Sequence, residues 1–452
     1  MRIALAAVAL LAILPSAHAQ DRAKGDFSHS GEFRLRDNWD MNQTGNAETQ
    51  PTSDNNVIQR FKLDLGFRAS EKLAAELTLI HGMNWGRPVS SDGVNINRST
   101  LNTPDGSGLD YLFVNQAYAT WMVSEDIKLK FGRQNYQIAD GTLISINDWQ
   151  ANPTAFEGVL GNYEAEFGKV QAFAFKFREL NATQTQTTSD AERNVYGLNF
   201  DLKTMPELVK ALNVHVLKDI GDATQDVAPN EGEIGRSETR YGLYGSFNLY
   251  VFDFKVWYEA VTGKQSDWNG TLNNYDVSSN MIQAEVAAHL PSFMGARVFA
   301  RYHRDSGDSD VSPNNGDELY DPYFYTRHGT AGQMDIFSWG NLTFIELGTT
   351  FKPMDSTEVG VSYWMLSRTE SGNNSTGVVN RQQLGRFVDA DLMKTHLGDE
   401  IDVWAEHNYG GGLSTVARFG YFMPGDVFTS SANSPLMGEK PMQIFIEGRL
   451  TF

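Results

Sequence analysis

The segment RFKLDLGFR, residues 60–68, decides how this chain is read. Phe61, Leu63, Leu65 and Phe67 alternate with Arg60, Lys62, Asp64 and Arg68. A period of two sends the sets to opposite faces of a strand, one apolar and one fully charged. The pattern recurs in GEFRLR, where Phe33 and Leu35 oppose Glu32, Arg34 and Arg36. In DIKLKFG, Ile127, Leu129 and Phe131 oppose Lys128 and Lys130. QAFAFKFR sets Phe173, Phe175 and Phe177 against Lys176 and Arg178. FDFKVWYEA sets Phe252, Phe254, Val256 and Tyr258 against Asp253, Lys255 and Glu259. ARVFARYH sets Val298, Ala300 and Tyr302 against Arg297, Arg301 and His303.

A soluble sandwich also alternates, so two further features choose between them. The charged face carries both signs in strand after strand, as a water-filled lumen would, while the apolar face is rich in Phe and Tyr, which suits a lipid belt. Connections also alternate in length. Short turns lie near Ala69-Ser70-Glu71, Val123-Ser124-Glu125, Tyr250-Val251, Pro291-Ser292 and Pro353-Met354-Asp355. Long polar loops lie between them, at about 38–56, 86–109, 179–193, 219–237, 264–278, 304–340, 368–395 and 424–440. The fold expected is all-β: one transmembrane antiparallel barrel of about eighteen strands, with long extracellular loops and short periplasmic turns.

Bulk properties agree. The chain has 452 residues, no cysteine, 41 Gly, only 14 Pro and 12% aromatics. Its mean hydropathy of −0.39 excludes a helical membrane protein. The net charge of −19 argues against a nucleic-acid partner. Residues 1–19 read as a signal peptide: Arg2, an apolar run from Ile3 to Leu14, then Ala17-His18-Ala19 as a cleavage site. Residues 20–452 then form one barrel, expected to be monomeric in outer-membrane lipid. The last segment, PMQIFIEGRLTF, alternates again and ends on Phe452, which resembles the assembly signal of outer-membrane barrels.

Several short motifs, in order, resemble the alginate export family of outer-membrane barrels. They are Gly132-Arg133-Gln134, Gly141, Asp148-Trp149 and Phe156-Glu157-Gly158. Tyr320-Asp321-Pro322, His328-Gly329, Asp335 and Asn341-Leu342 follow, then Leu397 through Asp402 and Pro424-Gly425-Asp426. The resemblance implies eighteen strands, an arginine-lined constriction passing a polyanionic polysaccharide outward, and periplasmic export machinery as a partner. It also marks Arg133 as the leading path residue, followed by Arg60 and Arg34.

A polyuronate carries one carboxylate per sugar, so its path needs fixed cations that still release. Guanidinium groups stay charged and grip carboxylate through two donors, and acidic neighbours keep the grip weak. The inward-face cations are Arg34, Arg36, Arg60, Lys128, Lys130, Arg133, Lys176, Arg178, Arg240, Arg297, Arg301, Arg418 and Arg449. Their acidic neighbours include Glu32, Asp64, Glu400 and Asp402. The competing structural reading is that these charges pair with one another to stiffen the wall. Trp149, Trp257, Trp364 and Trp404 could stack on sugars or simply pack.

Other chemistry finds little support. Asp305, Asp308 and Asp310 could hold calcium, but the spacing lacks a following bidentate Glu and suits a solvated loop. No nucleophile, nucleotide or zinc motif is present, so neither cofactor nor enzyme activity is expected. The alternatives that stay open are a porin for small solutes, an outer-membrane barrel enzyme, disfavoured, and a soluble secreted sugar-binding β-protein.

Overall fold

The computed structural model describes residues 25–41, 54–85, 111–179, 192–203, 206–221, 235–266, 275–308, 317–322, 325–326, 328–371, 393–429 and 440–452. Residues 1–19, expected to be a signal peptide, and Asp310 lie outside the described residues.

Eighteen strands follow one another along the chain. They are β1 (Asp26–Met41), β2 (Asp54–Arg68), β3 (Leu73–Asn84), β4 (Tyr111–Met122), β5 (Ile127–Gln134) and β6 (Phe156–Ala165). Next come β7 (Gly168–Glu179), β8 (Glu192–Leu202), β9 (Val209–Gly221), β10 (Gly235–Leu249), β11 (Phe252–Ser266) and β12 (Tyr275–Leu290). The ring is completed by β13 (Ala296–Asp305), β14 (Leu342–Met354), β15 (Thr357–Arg368), β16 (His396–Gly410), β17 (Leu413–Pro424) and β18 (Met442–Thr451). One helical turn, α1 (Asp426–Thr429), precedes β18.

Each strand pairs antiparallel with its chain neighbours, and β1 pairs with β18, Glu32 opposite Thr451 and Met41 opposite Met442. Closure leaves no free edge, which removes the unpaired backbone groups an open sheet would expose to lipid. The turns expected to be short are short. Ala69 N–H donates to Leu73 O, and Val123 N–H to Ile127 O. Gly410, Gly411 and Gly412 all have positive φ (79°, 62° and 85°), a run that only glycine adopts cheaply and that reverses β16 into β17.

The alternation places the apolar sets outward as read. Phe67, Val298, Tyr302, Phe254 and Tyr258 are exposed on the barrel's outside, and Arg60, Glu259 and His303 are buried inside. Strand β7 is the exception. Phe173 and Phe175 are buried on the inner face, while Ala172 and Ala174 are exposed outside, in the same row as Lys176. Lys176 therefore does not line the lumen, contrary to the reading from its alternation. The side chains of Phe177 and Arg178 lie outside the described residues.

The inversion has a physical cause. The 135–155 connection between β5 and β6 folds inward, and its Tyr136, Ile138 and Ile144 pack against Phe156, Leu160, Phe173, Phe175, Val195 and Leu217. The Tyr136 and Phe173 rings lie 4.7 Å apart. An inward segment with apolar side chains needs an apolar wall, so the period-two rule holds on β7 with its sign reversed.

The chain's lack of cysteine makes this testable. Ala174→Cys and Phe173→Cys each give a single thiol. In detergent-refolded or membrane-embedded protein, a lipid-soluble maleimide is expected to label Ala174→Cys at least tenfold faster than Phe173→Cys. The reverse ratio would return β7 to the phase expected from its sequence.

Candidate functional site

Two connections cross the lumen. In the ring order, β1 and β2 lie on one side of β5 and β11 lies six strands away on the other. The 135–155 segment reaches both. Arg34 on β1 donates to the carbonyls of Asp148, Trp149 and Gln150 at 2.8, 3.1 and 3.0 Å. Arg60 on β2 donates to Asp148 O at 2.9 Å, Gln150 O at 3.1 Å and the Asp148 carboxylate at 3.1 Å. Trp257 on β11 donates its indole N–H to Asp140 at 3.0 Å. A segment touching both walls lies across the interior.

The second segment, 306–341, joins β13 to β14 and is held from other directions. Met334 N–H donates to Glu400 at 2.9 Å, and Gln333 N–H to Asp402 at 3.3 Å. Tyr320 donates to Glu259 at 2.8 Å, and Arg240 to Asp321 O at 3.0 Å. Asp305, at the end of β13, accepts from Gly340 N–H at 2.6 Å. That use leaves little of the calcium reading, and no group of three metal-binding side chains occurs among the described residues.

The two segments meet in the middle. Thr326 donates to Gly141 O at 2.7 Å. The Trp149 and His328 rings stack 3.3 Å apart and 2° from parallel. The Arg36 guanidinium lies 3.5 Å from the Trp149 centroid, and with His328 that close it must cover the opposite face. Arg36 itself is fixed by Glu447 at 2.8 Å. Arg418 donates to Gln333 and to His328 Nε2, the latter at 3.0 Å, and His328 Nδ1 faces Asp335 at 2.8 Å.

The expected path cations thus divide. Arg34, Arg36, Arg60, Arg240 and Arg418 are spent holding the inward segments, with Glu32 seating Arg60 at 2.6 Å. Glu400 and Asp402 are segment anchors too. Arg297, Arg301, Arg449, Lys128 and Lys130 remain half-open on the lumen wall. Arg301 pairs with Glu346 at 2.9 Å, Arg297 with Glu285, and Arg449 with Glu447 at 2.8 Å. Lys130 sits 4.5 Å over the Tyr118 ring, and Asp64 pairs with Lys62 at 3.2 Å.

Arg133 corrects the leading expectation. It shares the outward row of Ile127, Leu129 and Phe131, and it pairs with Glu157 at 2.7 Å, its side chain one-third exposed. Its motif marks where β5 stops and the chain turns inward, while the residue itself faces out. The parity with Phe131 was visible in the sequence. His328, Gln333 and Tyr320 were not singled out as site residues, because no spacing rule links them to Trp149, Arg418 or Glu259.

One carboxyl and one imidazole on the crossing segments have displaced acidities. Burial disfavours charge on Asp148, but Arg60 beside it, with Arg34 and Lys62, holds its carboxyl below the usual range. Burial lowers His328; Asp335 opposes this, and Arg418 and Arg36 add to it, so the imidazole is neutral. Both depressed values favour docking at neutral pH and weaken it on acidification, when the undocked form takes up protons first. For His328 the loss begins below the ordinary value of about 6.5, and for Asp148 below about 3.9.

Two measurements follow. Lowering pH from 7.5 to 5 is expected to raise single-channel conductance and noise, and His328→Gln to remove most of that change. Arg60→Ala is expected to weaken docking by about 3 kcal/mol, since it leaves the Glu32 carboxylate without its guanidinium partner and the Asp148 and Gln150 carbonyls with Arg34 alone. It should leave the 135–155 segment cleavable by protease added to intact cells. Arg60→Lys should restore only part of the protection.

Comparison with known proteins agrees with this architecture. Among solved structures, the Pseudomonas aeruginosa protein OccK8 (OprE) superposes with a TM-score of 0.57 at 13% identity, over 94% of this chain and 98% of that one. The P. aeruginosa outer membrane protein OpdK gives 0.58 at 12%, over 94% and 98%. OccK9 (OpdG) of the same species gives 0.58 at 12%, over 94% and 99%. At such identities the likeness is one of fold. No curated protein sequence matches. The alginate export family, however, matches over residues 26–436. The chain belongs to the alginate export family, and its closed eighteen-stranded wall is that of an outer-membrane channel.

Proposed function

We propose that this barrel carries an anionic polysaccharide or oligosaccharide, of the alginate kind, outward across the outer membrane. It acts as a channel rather than an enzyme. The observation that supports this most directly is the set of half-open cations, Arg297, Arg301, Arg449, Lys128 and Lys130, on a wall whose other arginines are occupied. A passing carboxylate exchanges with Glu285, Glu346 or Glu447 for the same guanidinium groups. Such exchange keeps residence short while favouring anions over cations. The Trp149–His328 contact sets the narrow point, and movement of either crossing segment opens it.

A second reading, a porin for single small anions, draws on the density of contacts between the two segments, which suits a narrower cargo. Planar-bilayer recording separates the two. On the polymer reading, current is anion-selective and is blocked by added polymannuronate at micromolar concentration. Arg301→Ala with Arg449→Ala should reduce both selectivity and block several-fold. Block by monomeric uronate alone would support the small-solute porin, and a cation-selective pore would remove both readings.

A further inference from the structure

Among the described residues the lumen holds five tryptophans, and four of them are covered. Trp149 is sandwiched between Arg36 and His328. Trp257 is buried with its N–H on Asp140, Trp339 is buried against Tyr325, and Trp364 against Phe344. Trp404 differs. It is only half-buried, and among the described residues no ring or cation packs on it and its N–H has no acceptor.

Its orientation follows from the residue opposite. Gly360 is the register partner of Trp404 across β15 and β16, and a methyl placed there would fall onto Cζ2, Cε2 and Cη2 of the indole. The ring therefore lies flat on the wall over the glycine, with one face against backbone and the other turned to the lumen. Phe173 covers Gly197, His215 covers Gly242 and Phe299 covers Gly348 in the same manner, but those three rings are buried. Packing over a glycine accounts for one face of Trp404 and leaves the other unused.

The position is also particular. β16 runs down from Glu400 and Asp402, which hold the 306–341 segment, and Trp404 is the next inward residue toward the tight-turn rim. Arg418, which contacts His328, is its register partner on the other side. An open indole face thus lies just beyond the meeting point of the two segments.

We propose that Trp404 is a stacking platform for a pyranose ring of the saccharide, on the periplasmic side of the narrow point. The C–H groups of one sugar face meet the electron-rich indole face, and the free N–H donates to a ring hydroxyl. The platform recognises the sugar face and is indifferent to its charge, which separates it from the cations. This inference rests on the saccharide-channel reading. An aromatic contact of this kind changes affinity by about threefold to tenfold.

The test is current block in a planar bilayer by two probes, a mannuronate hexamer and the neutral maltohexaose. Trp404→Ala is expected to weaken block by both about tenfold, with open-channel conductance and ion selectivity unchanged and gel heat-modifiability retained. Trp404→Phe should recover most of the affinity. Gly360→Ala, which pushes the ring off the wall, should reproduce the loss with the indole still present. Undiminished block in Trp404→Ala would overturn the platform, as would a lack of block by maltohexaose in the unaltered protein. Loss of maltohexaose block in Trp404→Ala, with no block by mannuronate at all, would keep the platform and remove the polyanion reading.

Discussion

The structure depends on two arginines that face each other. Arg34 and Arg60 are direct register partners on β1 and β2. Like charges opposed across an antiparallel pair repel, and both guanidinium groups are buried. The 135–155 segment has the complementary problem, because a backbone led through the interior leaves carbonyls without donors. Each solves the other's difficulty: five guanidinium-to-carbonyl hydrogen bonds join them to residues 148–150. Glu32 and the Asp148 carboxylate balance the charge. Neither the wall nor the crossing segment is stable in this form alone.

The same logic runs around the ring with its sign exchanged. Where the second segment presents backbone N–H groups, at Gln333 and Met334, the wall supplies carboxylates, Asp402 and Glu400. Where the first segment presents side chains such as Tyr136 and Ile138, the wall supplies phenylalanines. The inner surface is a mould of two pieces of chain, and charge is left over for a solute only where that mould ends. The arginine count of such a lumen therefore overstates its pull on anions.

This also explains how far the sequence could be read. Period-two alternation, alternating connection length and the ordered motifs carried the barrel, its strand count and the family. They depend on lipid outside and water inside, which every strand meets alike. What they could not carry was the content of the lumen. The rule that Phe faces lipid fails for Phe173 and Phe175 because Tyr136, far away in the chain, occupies the inside. Arg133 is the opposite case: it continues the parity of Phe131, and the family motif outweighed a local signal that was correct. The Trp149–His328 stack joins residues from two separate connections, so no spacing could have announced it.

The charges that remain on the wall are arranged for exchange. Arg297 and Arg301 share Glu285, Arg301 also reaches Glu346, and Arg449 lies between Glu447 and Glu32. A bare guanidinium in a narrow lumen would hold a carboxylate strongly, since the low surrounding dielectric strengthens the attraction. One already paired offers an arriving anion only the difference between two similar interactions. On the proposed reading, arginine beside glutamate gives preference for sign without long residence, and the open indole of Trp404 adds an attraction that does not depend on charge. Sign selection and sugar contact then reside on different side chains, so each can be removed without the other.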